Sequence, residues 1–152
     1  MKLAEALQER ADLNRRIAEI GERVRNNCLV QEGEKPDEDP KELIRELDGC
    51  IDRLTCLMAG INKTNNTTVV DGRTLTELIA EKDALSVKIA AYKSFVGEAG
   101  QKTSRARFSE IKILSTVEVA ELQKRIDTMS KRLRLLDNTL QAANWATEYM
   151  ER

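Results

Sequence analysis

The chain has 152 residues, with no histidine, two prolines, five aromatic side chains, and 25 basic against 26 acidic residues for a formal charge of −1. Lack of imidazole excludes Ser-His-Asp triads, Cys-His dyads, His-ligated zinc and Glu-x-x-His di-iron bundles. The balanced charge disfavours counterion-driven, non-specific binding to duplex nucleic acid, and the poverty of aromatics points to a helical chain of one domain, residues 1–152.

From Leu3, apolar residues recur at steps of three and four through Leu13, Ile17, Ile20 and Val24. That spacing predicts a first helix over about 2–27. Asp39-Pro40-Lys41-Glu42 supplies an N-cap, a proline at the first helical position and an early acid, which start a second helix over about 40–65. Its seam is Leu43, Leu47, Cys50, Leu54, Leu57 and Ile61. Thr74-Leu75-Thr76-Glu77 reads as a capping box opening a third helix, about 75–97, and Ser115-Thr116-Val117-Glu118 as another opening a fourth, about 116–150. Seams this sustained predict a mainly α fold, an elongated four-helix bundle or antiparallel coiled-coil hairpins. Arg10 and Lys82 fall on seam positions, where long basic stems reach outward or set register.

The connections are residues 29–38, 66–73 and 98–114. Short β segments are expected in them: Cys28-Leu29-Val30, Thr67 to Val70 running into the turn dipeptide Asp71-Gly72, and Phe108 with Ile111, Ile113 and Leu114. The first connection is acidic (Glu32, Glu34, Asp37, Glu38, Asp39) and the third basic (Lys102, Arg105, Arg107, Lys112). An up-down-up-down chain would bring these opposite charges to one end, within a subunit or between two.

Cys28, Cys50 and Cys56 are an odd set that suits a reducing compartment, and they read as buried small hydrophobes. Cys50 and Cys56 lie about 9 Å apart along one helix, too far for a mutual disulfide. Acids interrupt the first ten residues, and no stretch reaches 18 apolar residues. A cytoplasmic protein without a membrane span is therefore expected.

At about 100° per residue, Leu135, Ala142, Trp145, Ala146 and Tyr149 share an arc of the fourth helix away from its Leu136, Leu140, Ala143 seam. A helix with two apolar sides has two neighbours, so this arc is a candidate oligomer interface. Gly49, Cys56 and Gly60 form a small-residue stripe on the second helix, where a partner backbone could approach closely.

Several blocks resemble a family of small bacterial proteins labelled septicolysin-like. They are Met1 to Leu7, Arg10 to Leu13, Val30 to Glu34, Ile61 to Asn65, Asp71 to Glu77, Ser109 to Lys112 and Asn144-Trp145. The resemblance implies a cytolysin label with no established biochemistry. It directs attention to polar residues at the helix ends: Asn62, Asn65, Asp71 and Arg73 around the second break, and Arg105, Arg107, Glu110 and Lys112 around the third. These form a candidate polar or anion site, or else are turn, capping and ion-pair chemistry.

No residues stand out as catalytic, cofactor-binding or metal-binding. Without histidine no acid-base pair has a spacing that identifies a reaction, and the acidic run 32–39 lacks the glycine and terminal glutamate of a calcium loop. The expected function is a homo-oligomeric, non-enzymatic scaffold or protein-binding module whose partner is itself or another protein. The alternatives are membrane activity of the septicolysin-like kind, or weak nucleic-acid or anion binding through clusters such as Lys124-Arg125 and Lys131 to Arg134.

Overall fold

The computed structural model describes residues 1–101 and 111–151. Its elements are α1 (Leu3–Asn27), α2 (Pro40–Thr67), β1 (Val69–Val70), β2 (Arg73–Thr74), α3 (Leu75–Ala99) and α4 (Val119–Ala146). The protein is mainly α, with a short β segment in a connection, as the seams predict. The chain divides into two compact units, Met1–Leu75 with Ala142–Arg152, and Thr76–Gln141.

In the first unit, α2 starts as its sequence dictates. The Asp39 carboxylate accepts from the Lys41 N–H at 3.0 Å, with Pro40 at the first helical position, where its missing N–H costs nothing. Three ion pairs fix α1 antiparallel to α2: Glu9 with Arg53, Arg16 with Glu46, and Arg23 with Glu38. As the α1 partner advances along the chain, the partner in α2 or, for Glu38, just before it recedes. Between the helices the buried side chains are Leu3, Ala6, Ile20, Leu43, Leu57 and Ile61.

α2 hands over to a two-residue hairpin in which Val70 pairs with Arg73 and Val69 with Thr74. Asp71 (φ 50) and Gly72 (φ 78) both take the left-handed conformation. Paired left-handed residues match the twist of the flanking strands, which is why Asp-Gly marks such turns. The Leu75 N–H then donates to the Thr68 carbonyl at 3.0 Å, and α3 begins at Leu75, directly after the last strand residue.

The second unit pairs α3 with α4, again antiparallel: Glu81 meets Arg132 and Lys82 meets Asp137, while Tyr92 meets Arg125. Leu78, Ile89, Ile126, Leu136 and Leu140 are buried. Lys82, the seam exception, is thus an interhelical ion pair, and Arg10 is half-buried.

Several expectations need correction. α4 is shorter at both ends than 116–150. Ser115 forms a local turn instead of a capping box: its hydroxyl donates to the Val117 carbonyl at 2.8 Å, and helical bonding begins with the Leu122 N–H on the Glu118 carbonyl. At the other end the chain leaves the helix after Ala146: the Thr147 carbonyl and the Tyr149 N–H bond with Leu3 and Met1, and the Met150 N–H with Thr64 of α2. Cys28 to Val30 form no strand; Leu29 and Val30 are exposed coil. Residues 111–114 form none either, and Phe108 lies outside the described residues. Cys28 and Cys56 are exposed and Cys50 half-buried, so the thiols are not core filler.

Candidate interaction surface

The end of the α1/α2 pair is closed by the chain's own C-terminal segment. The Leu3 N–H donates to the Thr147 carbonyl and the Tyr149 N–H to the Met1 carbonyl, each at 2.9 Å, with Lys2 and Glu148 bridged antiparallel between them. Glu148 also takes an ion pair from Lys2 and, at 3.6 Å, from the N-terminal ammonium. The Lys2 hydrogen bond, reinforced by its charge, holds the Glu148 carboxyl below its ordinary value.

Within this segment, the hydroxyl end of the Tyr149 ring packs against Gly60 of α2. A Cβ at Gly60 would overlap the Tyr149 ring and hydroxyl and would stand 2.6 Å from the Met150 carbonyl. The small-residue stripe therefore does receive a close neighbour at Gly60, and that neighbour is this chain's own tail. Gly49 has nothing within 4 Å. Fully buried Thr64 completes the contact: its hydroxyl donates to the Gly60 carbonyl at 2.8 Å and accepts the Met150 N–H at 2.9 Å. Burial pushes the Tyr149 phenol up, opposed by the Arg53 charge.

This placement corrects the helical-arc reading of Tyr149. It lies beyond the end of α4, half-buried, and shares no helical face with the other four residues. Of those four, Trp145 is 53% and Leu135 49% exposed, and Ala142 and Ala146 are also exposed.

The α1/α2 pair has two unlike edges. Around the α2 axis at about 100° per residue, Glu46 and Arg53 fall on one side of the buried row Leu43, Leu57, Ile61. That edge is laced to α1 by the ion pairs with Arg16 and Glu9. The Arg53 guanidinium reaches Glu9 at 2.6 and 2.9 Å, and its hydrogen bond, with its charge, holds the Glu9 carboxyl below the ordinary value against a smaller opposing effect of burial. Arg23 depresses Glu38 in the same way.

On the other side of the buried row stand Ile44 (44% exposed), Ile51 (43%) and Met58 (46%), each seven residues from the next. Seven residues are close to two turns, so the three stack in a stripe about 21 Å long. Beyond the stripe lie exposed Lys41, Arg45, Asp48 and Asp52. None of these four has an ion-pair partner among the described residues. The sequence reading missed this stripe. It follows the seam residues Leu43, Cys50 and Leu57 by one position each, and that shadow heptad was its available signal.

Asn62 is exposed and Asn65 half-buried in the last turns of α2; Asp71 is the turn residue and Arg73 a strand residue of the hairpin. Lys112 is exposed coil. Arg105, Arg107 and Glu110 lie outside the described residues, as does most of the basic third connection. Glu38 of the acidic first connection is satisfied within its own unit by Arg23. Of the basic clusters, Arg132 is bound to Glu81, whereas Arg125 and Lys88 lie over the Tyr92 ring at 5.1 and 5.8 Å from its centroid. No described helix is long and apolar enough to cross a membrane.

A family profile described as a family of unknown function, DUF6847, matches residues 10–149. A crystal structure of a functionally unknown conserved protein from Corynebacterium diphtheriae is similar to this chain at 35% identity and a TM-score of 0.92, with 99% of each chain covered. No curated protein matches. These findings overturn the septicolysin-like resemblance: the blocks that suggested it, nearly all within residues 10–149, sit in a chain whose family and solved neighbour have no septicolysin link. The chain belongs to DUF6847, a family of unknown function.

Proposed function

We propose that the protein is a cytoplasmic, self-associating helical module that works through its surfaces, as a scaffold or partner-binding element, and not by catalysis. One observation carries this reading: the Ile44, Ile51, Met58 stripe, nearly half exposed at each position on an edge that the opposite ion-paired edge does not resemble. A lone exposed isoleucine is ordinary, but two isoleucines and a methionine in register along one helix make an apolar stripe, the feature that marks a helix awaiting a neighbour. Three free thiols support a reducing compartment.

Size-exclusion chromatography with light scattering tests the reading. The expected mass at micromolar concentration is a multiple of the 17.2 kDa chain, and Ile51→Glu, which places a charge mid-stripe, is expected to reduce it to the monomer. A wild-type mass of one chain at these concentrations overturns the proposal.

A further inference from the structure

The charges beside the stripe carry an order that the apolar residues alone do not. Along the exposed edge of α2 the sequence reads Lys41, Ile44, Arg45, Asp48, Ile51, Asp52: basic residues first, acidic second, with one isoleucine in each half. All six are exposed, and the four charges have no ion-pair partner among the described residues. The ionic groups on the opposite edge contrast with this, for there Arg53, Glu46 and Glu38 are each paired with an α1 residue, Glu9, Arg16 and Arg23 respectively.

A run of charges that changes sign at its middle is complementary to itself when reversed. Laying a second α2 antiparallel, with Ile44 level with the partner's Ile51, sets Arg45 against the partner's Asp48 and Lys41 against the partner's Asp52. The axial offset of these ionic pairs is about 3 Å at 1.5 Å rise per residue, well within the reach of Lys and Arg. A two-fold axis perpendicular to both helices keeps each flank on its own side, so the charged flank of one copy meets the charged flank of the other. Two-fold pairing is also the commonest closed assembly for identical chains, and it uses one patch twice. A parallel pairing in register would instead set Lys41 against Lys41 and Asp48 against Asp48.

We infer that a second copy of this chain docks antiparallel along α2 about a two-fold axis between residues 47 and 48, with Ile44 and Ile51 meeting across it and Arg45–Asp48 and Lys41–Asp52 pairs on the flank. This inference rests on the self-association reading above and adds the symmetry and register.

The test is a charge-reversal mixing experiment on the full chain, read by sedimentation velocity. Arg45→Asp alone sets acid against acid at both copies of the pair, and Asp48→Arg alone sets base against base. Each is expected to weaken association at least about tenfold, from the loss of two attractive contacts and the gain of two repulsive ones. Mixed one to one, Arg45→Asp and Asp48→Arg are expected to associate as tightly as wild type, because each copy then faces opposite charge twice. Recovery on mixing also shows that both variants are folded. A wild-type chain that associates while the mixture stays as weak as its components overturns the antiparallel register and leaves self-association standing. A wild-type monomer removes both. Single reversals that associate as tightly as wild type overturn the register too.

Discussion

At the scale of single residues, the tightest demands in the first unit converge on Gly60, Thr64 and Tyr149. Glycine is required at position 60 because the Tyr149 ring and the Met150 carbonyl occupy the space of a side chain. One of these is backbone and cannot rotate away. Gly60→Ala is therefore expected to destabilise the protein by about 1–3 kcal/mol despite alanine's better helix propensity; urea unfolding measures it, and a gain in stability would refute the close approach. Thr64→Val keeps the shape but removes the acceptor for the Met150 N–H and the donor to the Gly60 carbonyl. A loss of about 1–3 kcal/mol is expected. Amide exchange at Met150 should also quicken, which separates a lost hydrogen bond from a packing defect. None of this was visible in the sequence beyond a stripe of small residues, because the tail that uses it lies roughly ninety positions away.

At the scale of elements, capping and turn chemistry were legible where the signals are local. Asp39-Pro40 and Asp71-Gly72 behave as their chemistry dictates, since N-cap and turn preferences act within three or four residues. The Ser115 box failed because its hydroxyl is satisfied by the adjacent Val117 backbone, and a local competitor of this kind is always available to serine. The end of α4 was overextended for a different reason. Residues 147–150 continue the helical apolar pattern, but their backbone groups find partners in Met1, Leu3 and Thr64 instead of the next turn.

The ion pairs of the first unit have a pH signature. Glu9, Glu38 and Glu148 have carboxyls depressed below the ordinary value of 4.5 by Arg53, Arg23 and Lys2. Depressed carboxylates contribute stability that is present above the unfolded value and lost as pH falls through the folded one. The melting temperature should thus be level from pH 7 to about 5 and fall below about pH 4.5. Glu9→Gln should flatten part of that fall, and an unchanged acid slope in this variant would show that the Arg53 pair contributes nothing. The pairs are largely exposed, so the effect is modest and is reduced by salt.

For the whole molecule, the decisive surface is the edge that the ion pairs leave open. Ile51→Glu at mid-stripe is expected to leave the melting curve of the isolated chain within about 0.5 kcal/mol of wild type, as substitutions at exposed positions do, while abolishing self-association. A large loss of fold stability in that variant would mark Ile51 as core and sink the interface assignment. Belonging to a family of unknown function, and matching at 0.92 a solved chain that is itself functionally unknown, the protein has to be assigned from its own surfaces.

The sequence by itself determined the class of the protein: four helices from apolar periodicity, their starts from caps and proline, one hairpin from Asp-Gly, and the exclusion of imidazole chemistry. These are properties of neighbouring residues, set by sterics and hydrogen bonding within a turn or two. The same periodicity already set Leu43 inside and left Ile44 off the seam, as their burial bears out. Tertiary structure alone decided the contacts off the seams: Tyr149 is drawn off its helix onto a glycine far away in the chain. Burial is a property of the partner as much as of the residue, and the partner is chosen by packing that no short stretch of sequence contains.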